Sequence, residues 1–228
     1  MKKLLFVATA ALCATVFGAI ESTNVVGYQQ VPVTTGFVLF TPTFKGIGVD
    51  SMNLSDIKIV KADGSASEVM GSVAVQKMDS AGAYLDSYLY FEGIGWTDSD
   101  GVTIKTGEAI CVNNDAGETV YFRVAGQVDL ENKNAVDSGF VLWGNSTPVT
   151  VDLEDVTIVK ADGTASEVMG SVAAQKMDDT GAYLDAHLYF EGIGWTDAAG
   201  ITLAPGESLC INNDSGETVY LKVPSPIK

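Results

Sequence analysis

The chain has 228 residues, 46% of them hydrophobic, with 29 acidic side chains against 13 basic ones and a formal net charge of −16. That apolar share supplies packed cores and excludes wholesale disorder. A balance this acidic repels nucleic acid and anionic membrane surfaces, so neither is expected as a partner.

The first element is a leader. Lys2 and Lys3 form a charged start, residues 4–17 are apolar and uncharged, and Val16 and Gly18 suit the positions before a cleavage site. This pattern predicts a secretory signal peptide over residues 1–19. The stretch is short for a bilayer span, so no membrane insertion is expected after cleavage and the destination is secreted, extracellular or cell-surface. Leu12 precedes Cys13 where a lipidation signal wants a small residue, and no anchoring signal is expected elsewhere.

The rest of the chain is a duplication. Residues 56–124 align with residues 155–223 at a constant offset of 99 without a gap, and 49 of 69 positions are identical. LYFEGIGWTD occurs twice unchanged. Upstream, TGFVLFTP faces SGFVLWGN, and NVVGY at residues 24–28 is matched with RVAGQ at residues 123–127. Two domains follow, residues 20–126 and residues 127–228.

In the first copy, short apolar runs alternate with turn clusters rich in Gly, Asp, Asn and Ser, which is β punctuation. Strands are predicted over residues 24–32, 37–41, 57–61, 73–77, 83–91, 108–113 and 119–124, with one short helical turn over residues 67–70. The fold class expected is all-β, two tandem β-sandwich domains of jelly-roll-like form arising from the duplication.

Within strand 83–91, Tyr84, Asp86, Tyr88 and Tyr90 alternate with Leu85, Ser87, Leu89 and Phe91. Alternate side chains point to opposite faces, so the Leu/Phe face is expected to be core and the Tyr/Asp face exposed. The second copy carries Tyr183, Asp185, His187 and Tyr189 there. Such a stripe suits stacking on sugar rings, with Trp96 and Trp195 nearby. The alternative is that tyrosine is simply a good, half-buried strand former. A Trp at a loop edge is more often a plug over the end of a sandwich than a sugar platform.

Asp98-Ser99-Asp100-Gly101 resembles the first half of a calcium loop, but the second copy reads Asp197-Ala198-Ala199-Gly200. No cofactor is expected; calcium at Asp98 and Asp100 is the one metal for which the sequence offers ligands. Asn113-Asn114-Asp115 and its copy are read as hairpin turns. Cys111 and Cys210 are equivalent residues. They are either two buried thiols, in the apolar settings AICV and SLCI, or one inter-domain disulfide, which would require the repeats to pack about a pseudo-twofold axis. The single histidine, His187, stands opposite Tyr88, and no nucleophile elbow, zinc-protease or C-x-x-C motif is present, so a catalytic site is not expected. The Val-rich residues 20–35 present a further alternative: this strand either pairs within its own domain or completes the second domain of another molecule.

GFVLWGN at Gly139–Asn145, the later GAYLDSYLYF and GWTD, the (T/P)GE-x-x-C-(V/I)-N-N hairpin, NVVGY and AGQV together resemble a group of uncharacterised exported bacterial β-sandwich repeat proteins. The resemblance spans nearly the whole chain beyond the leader. It implies a surface-exposed structural or binding module with no catalytic residue. Self-assembly or extracellular glycans are the partners in keeping with that reading.

Overall fold

The computed structural model describes residues 26–225; the predicted signal peptide lies outside the described residues. The first repeat contributes β1 (Val26–Val33), β2 (Gly36–Phe40), β3 (Ser51–Asn53), β4 (Lys58–Val60), β5 (Met70–Met78), β6 (Tyr84–Phe91), β7 (Gly95–Trp96), β8 (Thr103–Lys105), β9 (Ile110–Asn114) and β10 (Val120–Gln127). The second contributes β11 (Lys133–Val136), β12 (Gly139–Gly144), β13 (Val151–Asp152), β14 (Thr157–Val159), β15 (Met169–Met177), β16 (Tyr183–Phe190), β17 (Gly194–Trp195), β18 (Thr202–Leu203), β19 (Ser208–Asn213) and β20 (Val219–Lys222). The protein is all-β. Its only helical elements among the described residues are the 3-10 turns Leu54–Asp56 and Leu153–Asp155. The turn expected over residues 67–70 does not form; that segment leads into β5, and Glu92 N donates to the Val69 carbonyl.

Each repeat builds the same three antiparallel sheets. In the first they run β2-β9-β5-β6-β7, β1-β10-β4 and β3-β8; in the second, β12-β19-β15-β16-β17, β11-β20-β14 and β13-β18. One apolar cluster lies among the three sheets of the first repeat, joining Val73, Val75 and Val112 of the five-stranded sheet to Ile59, Phe122 and Val124 of the three-stranded sheet. The second repeat repeats it with Val172, Ala174 and Ile211 against Ile158, Leu221 and Val223. Alternation on the strands explains this, because one face of every strand is apolar. Edge-to-face rings tighten the first cluster: Phe40 on Phe122 at 4.9 Å, Tyr90 on Trp96 at 5.1 Å and Trp96 on Phe122 at 5.7 Å.

A buried asparagine ties the sheets together in each repeat. Asn114 Nδ2 donates to the carbonyls of Val33, Thr34 and Glu118, while Ala116 N donates to its Oδ1. Asn213 does the same towards Val136 and Glu217. The NND segments are therefore hairpin anchors.

The N-terminal strand pairs at home. β1 runs against β10 from Val26↔Gln127 to Val33↔Val120, and β11 takes the equivalent place against β20. Completion of a neighbouring molecule is thus not needed. This also corrects the matching of NVVGY with RVAGQ: Val26–Tyr28 are cross-strand partners of residues 125–127, Gly27 opposite Gly126, with β10 extending to Gln127. The Phe44 ring and the Lys45 carbonyl fill the space over those two glycines.

Candidate functional site

The Tyr stripe is broken, and its exposed face is mostly inverted. Val75 opposes Tyr88 and lies in the core, so Tyr88 and Tyr90 share the inner face; Tyr90 and Tyr189 are buried. Leu85 and Leu184, expected inside, stand half exposed. The cause is a register shift between Gln76↔Ser87 and Met78↔Tyr84. It inserts an extra residue in β6 and turns Tyr84 to the face opposite Tyr88. Trp96 and Trp195 are buried plugs whose Nε1 atoms donate to the Ile57 and Val156 carbonyls at 2.8 Å, so neither offers a stacking platform. His187 lies partly buried with Nδ1 at 3.0 Å from the Thr196 carbonyl.

The segment that resembles a calcium loop is a tight turn. Asp98 and Asp100 are exposed, while Ser99 between them is buried and donates to the Trp96 carbonyl. Asp98 and its copy Asp197 adopt positive φ, +49° and +48°, as a tight turn requires. Among the described residues no three His, Cys, Asp or Glu side chains gather as a metal site.

What the sequence analysis left open, the seam between the repeats supplies. Leu39, Ala109, Cys111, Leu142 and Cys210 form a third buried cluster, flanked by Phe37, Phe140, Met78 and Met177. The contacts are reciprocal. Phe37 N donates to the Asp179 carbonyl and Phe140 N to the Ser80 carbonyl; Thr41 N donates to Gly206 and Gly144 N to Gly107. The Tyr84 and Tyr183 hydroxyls meet at 3.0 Å, and each lies 3.7 Å from the methionine sulfur of the other repeat, Met177 and Met78. The repeats therefore pack about a pseudo-twofold axis through the outer faces of their five-stranded sheets. Cys111 and Cys210 both belong to this cluster as free, buried thiols rather than a disulfide. The legible signal was the apolar outward face of β2, β9 and their copies, which a lone sheet would have left polar.

Burial pushes both thiols above their ordinary range, with the Tyr84 and Tyr183 hydroxyls pulling the other way. Burial, together with the neighbouring thiols, pushes Tyr183 up to about 12, and burial and the Tyr183 hydrogen bond raise Tyr84 further. Groups whose ionisation is suppressed by folding stabilise the fold fully below their unfolded pKa and cease to do so as pH rises through the folded value. The melting temperature is expected to be flat through neutrality and to fall from about pH 9 upward, steepening beyond pH 10 as tyrosine ionisation joins in. Thermal melts from pH 7 to 11 check this, and Tyr84→Phe/Tyr183→Phe should reduce the later part of the fall, leaving the share of Tyr90 and Tyr189, which burial also raises.

Two grooves flank the seam. One, of about 540 Å³, is lined by Lys77, Met78, Ser80, Glu108, Ala109, Phe140, Val141 and Leu142, and is extended by residues of the loop 45–50, β8 and the segment 129–137. The other, of about 200 Å³, is lined by the equivalent Lys176, Met177, Asp179, Glu207, Ser208, Phe37, Val38 and Leu39. In the larger, Lys77 pairs with Glu108 at 2.6 Å and Lys45 with Asp50 at 2.7 Å and Asp129 at 3.4 Å. Burial alone would lower Lys45, but the hydrogen bond to Asp50 and the charges of Asp129 and Asp50 hold it above its ordinary value. The Lys133 ammonium lies 5.2 Å over the Tyr220 ring. Compared with protein-family models, curated proteins and solved structures, the chain matches none.

Proposed function

We propose that this is a secreted, non-enzymatic structural or adhesive protein of the cell surface or extracellular matrix, made of two tandem β-sandwich domains docked into one rigid, two-ended block. The observation that carries this reading is a duplicated apolar rim at an open sheet edge. Met70 and Met169 are 65% and 63% exposed, Ile94 and Ile193 79% and 80%, Leu85 and Leu184 50% each. Met70 pairs with Phe91, and Ile94 N closes a turn onto the Phe91 carbonyl, so Met70 and Ile94 share one end of the sheet, while Leu85 stands near the other end of β6. β7 pairs with β6 only at Tyr90 and Phe91, which leaves the Tyr84–Tyr88 stretch at the edge, and the second copy repeats the arrangement. Edges and exposed apolar rims of this kind are association surfaces. Two of them on one rigid block give a molecule that extends beyond a dimer.

Glycan binding through the Tyr stripe, the other reading of the sequence, loses support with Tyr90, Tyr189, Trp96 and Trp195 buried. Negative-stain electron microscopy of the mature protein tests the assembly: filaments or sheets are expected, and Ile94→Glu/Ile193→Glu should disperse them. Single particles at every concentration would sink the reading.

A further inference from the structure

The two grooves descend from one sequence yet differ in chemistry at matched positions. Asn134 opposes Leu221 in β20 as Val31 opposes Phe122 in β10. Each of these residues lies against the equivalent glycine, Asn134 on Gly107 and Val31 on Gly206. Around this pair the larger groove has Lys105, Thr106, Lys133 and Asp137 where the smaller side has Ala204, Pro205, Gln30 and Thr34. After duplication, one groove holds a polar wall that the other has in apolar or shorter form.

That wall is unfinished. Asn134 is only 5% exposed and its Oδ1 has no hydrogen-bond partner among the described residues; the same holds for the Thr106 Oγ1. Buried polar atoms are nearly always satisfied, and of the seven such unpaired atoms among the described residues these two belong to the groove lining. The lining carries four lysines and five carboxylates, the lysines drawn from only 13 basic residues in the chain. Lys105 has no carboxylate within ion-pair distance among the described residues, unlike Lys45 and Lys77. A simple anion would meet the carboxylates, and a cation the lysines. A ligand bearing hydroxyls, which both donate and accept, satisfies both without adding charge. Phe140, Leu142 and Met78 supply an apolar floor for the faces of its rings. The volume is that of an ordinary small-ligand site.

We infer that the larger groove is a binding site for an uncharged saccharide, held by Lys105, Thr106 and Asn134 over the apolar floor. This stands apart from the assembly reading, since it concerns a different surface and is measured on dispersed protein.

Calorimetry of the mature chain with xylohexaose, cellohexaose, laminarihexaose and chitohexaose, alongside trigalacturonate as a charged comparison, tests it. At least one neutral oligosaccharide should bind once per chain. Lys105→Ala/Asn134→Val, which gives the larger groove the residues of the smaller, should weaken it on the order of tenfold, as expected for losing one or two hydrogen bonds. Lys176→Ala in the smaller groove should leave it unchanged. If the double variant lacks a cooperative melt, Lys105→Ala alone, at an exposed position, should still weaken binding on the order of threefold. The inference is overturned if no neutral oligosaccharide binds, if two bind per chain with equal affinity, if the groove variants bind as well as the parent, or if only trigalacturonate binds and salt abolishes it.

Discussion

Replacing Gly139 with alanine should destabilise the protein by about 3 kcal/mol, measured by urea unfolding. Gly139 sits at φ +97°, and a Cβ there would drive into the Ser80 carbonyl oxygen of the other repeat. That oxygen cannot yield, because it accepts the hydrogen bond from Phe140 N at 3.0 Å. Gly36, at φ +88°, stands in the same relation to Asp179 O, which accepts from Phe37 N. Gly36→Ala should therefore cost a similar amount, and the double variant should part the two repeats while each retains its own core. Gly93 supplies the control. Its φ is +78° but nothing among the described residues lies within 4 Å of its would-be Cβ, so Gly93→Ala should cost only the backbone term, about 1 kcal/mol. Equal losses at Gly93 and Gly139 would show that the seam contributes nothing beyond local strain.

The course of the strands was legible because period-two alternation and turn chemistry are local. β1, β2, β4, β5, β6, β9 and β10 all fall within a few residues of the runs read from sequence. The strands β3, β7 and β8 were missed; each has only two or three residues, β3 and β8 pair with each other across a long stretch of chain, and β7 folds straight back on the end of β6. The β6 faces were misassigned for a definite reason. Leu and Phe are more apolar than Tyr, so pattern alone puts them inside, but the tyrosines reach the core and end on polar partners, as Tyr90 does towards Glu92 at 3.5 Å. The bulge that separates Tyr84 from Tyr88 leaves no trace in a perfectly alternating sequence. The seam was half legible: a shared axis was one of two alternatives for Cys111 and Cys210, while the buried-thiol alternative is what accompanies it. The large groove was not legible at all, since its wall joins β8 to the segment 129–137 across the repeat boundary.

The duplication separates residues that both copies use alike from residues that differ between them. Contacts made by both copies, such as Trp96 and Trp195 on their carbonyls or Asn114 and Asn213 in their hairpins, concern folding of each unit. Contacts that differ, such as Gly107 on Asn134 against Gly206 on Val31, lie at the seam. A pseudo-twofold axis makes equivalent surfaces meet there, and departures from symmetry at the flanking grooves give the two sides of the seam different chemistry.

Asn114→Asp should be the most damaging isosteric change, costing about 3–5 kcal/mol at neutral pH. The amide's Nδ2 faces three carbonyl oxygens at 2.9–3.1 Å in a site 1% exposed. A carboxylate would turn a charged acceptor towards acceptors and leave the Val33, Thr34 and Glu118 carbonyls unpaired. Asn114→Ala, which removes the donor without adding charge, should cost less, about 2 kcal/mol. The pH dependence separates the two. The new carboxyl would be held protonated by its surroundings, so its folded pKa lies above the unfolded value of about 4. A group raised in this way contributes most below its unfolded pKa and loses that contribution as pH rises through the folded one. Asn114→Asp should therefore be nearly as stable as Asn114→Ala at about pH 4 and markedly less stable at pH 8, with Asn213→Asp behaving alike. Urea unfolding at the two pH values reads this directly. A pH-independent loss would mean that the hairpin opens to solvent and that the asparagine does not bolt the two sheets together.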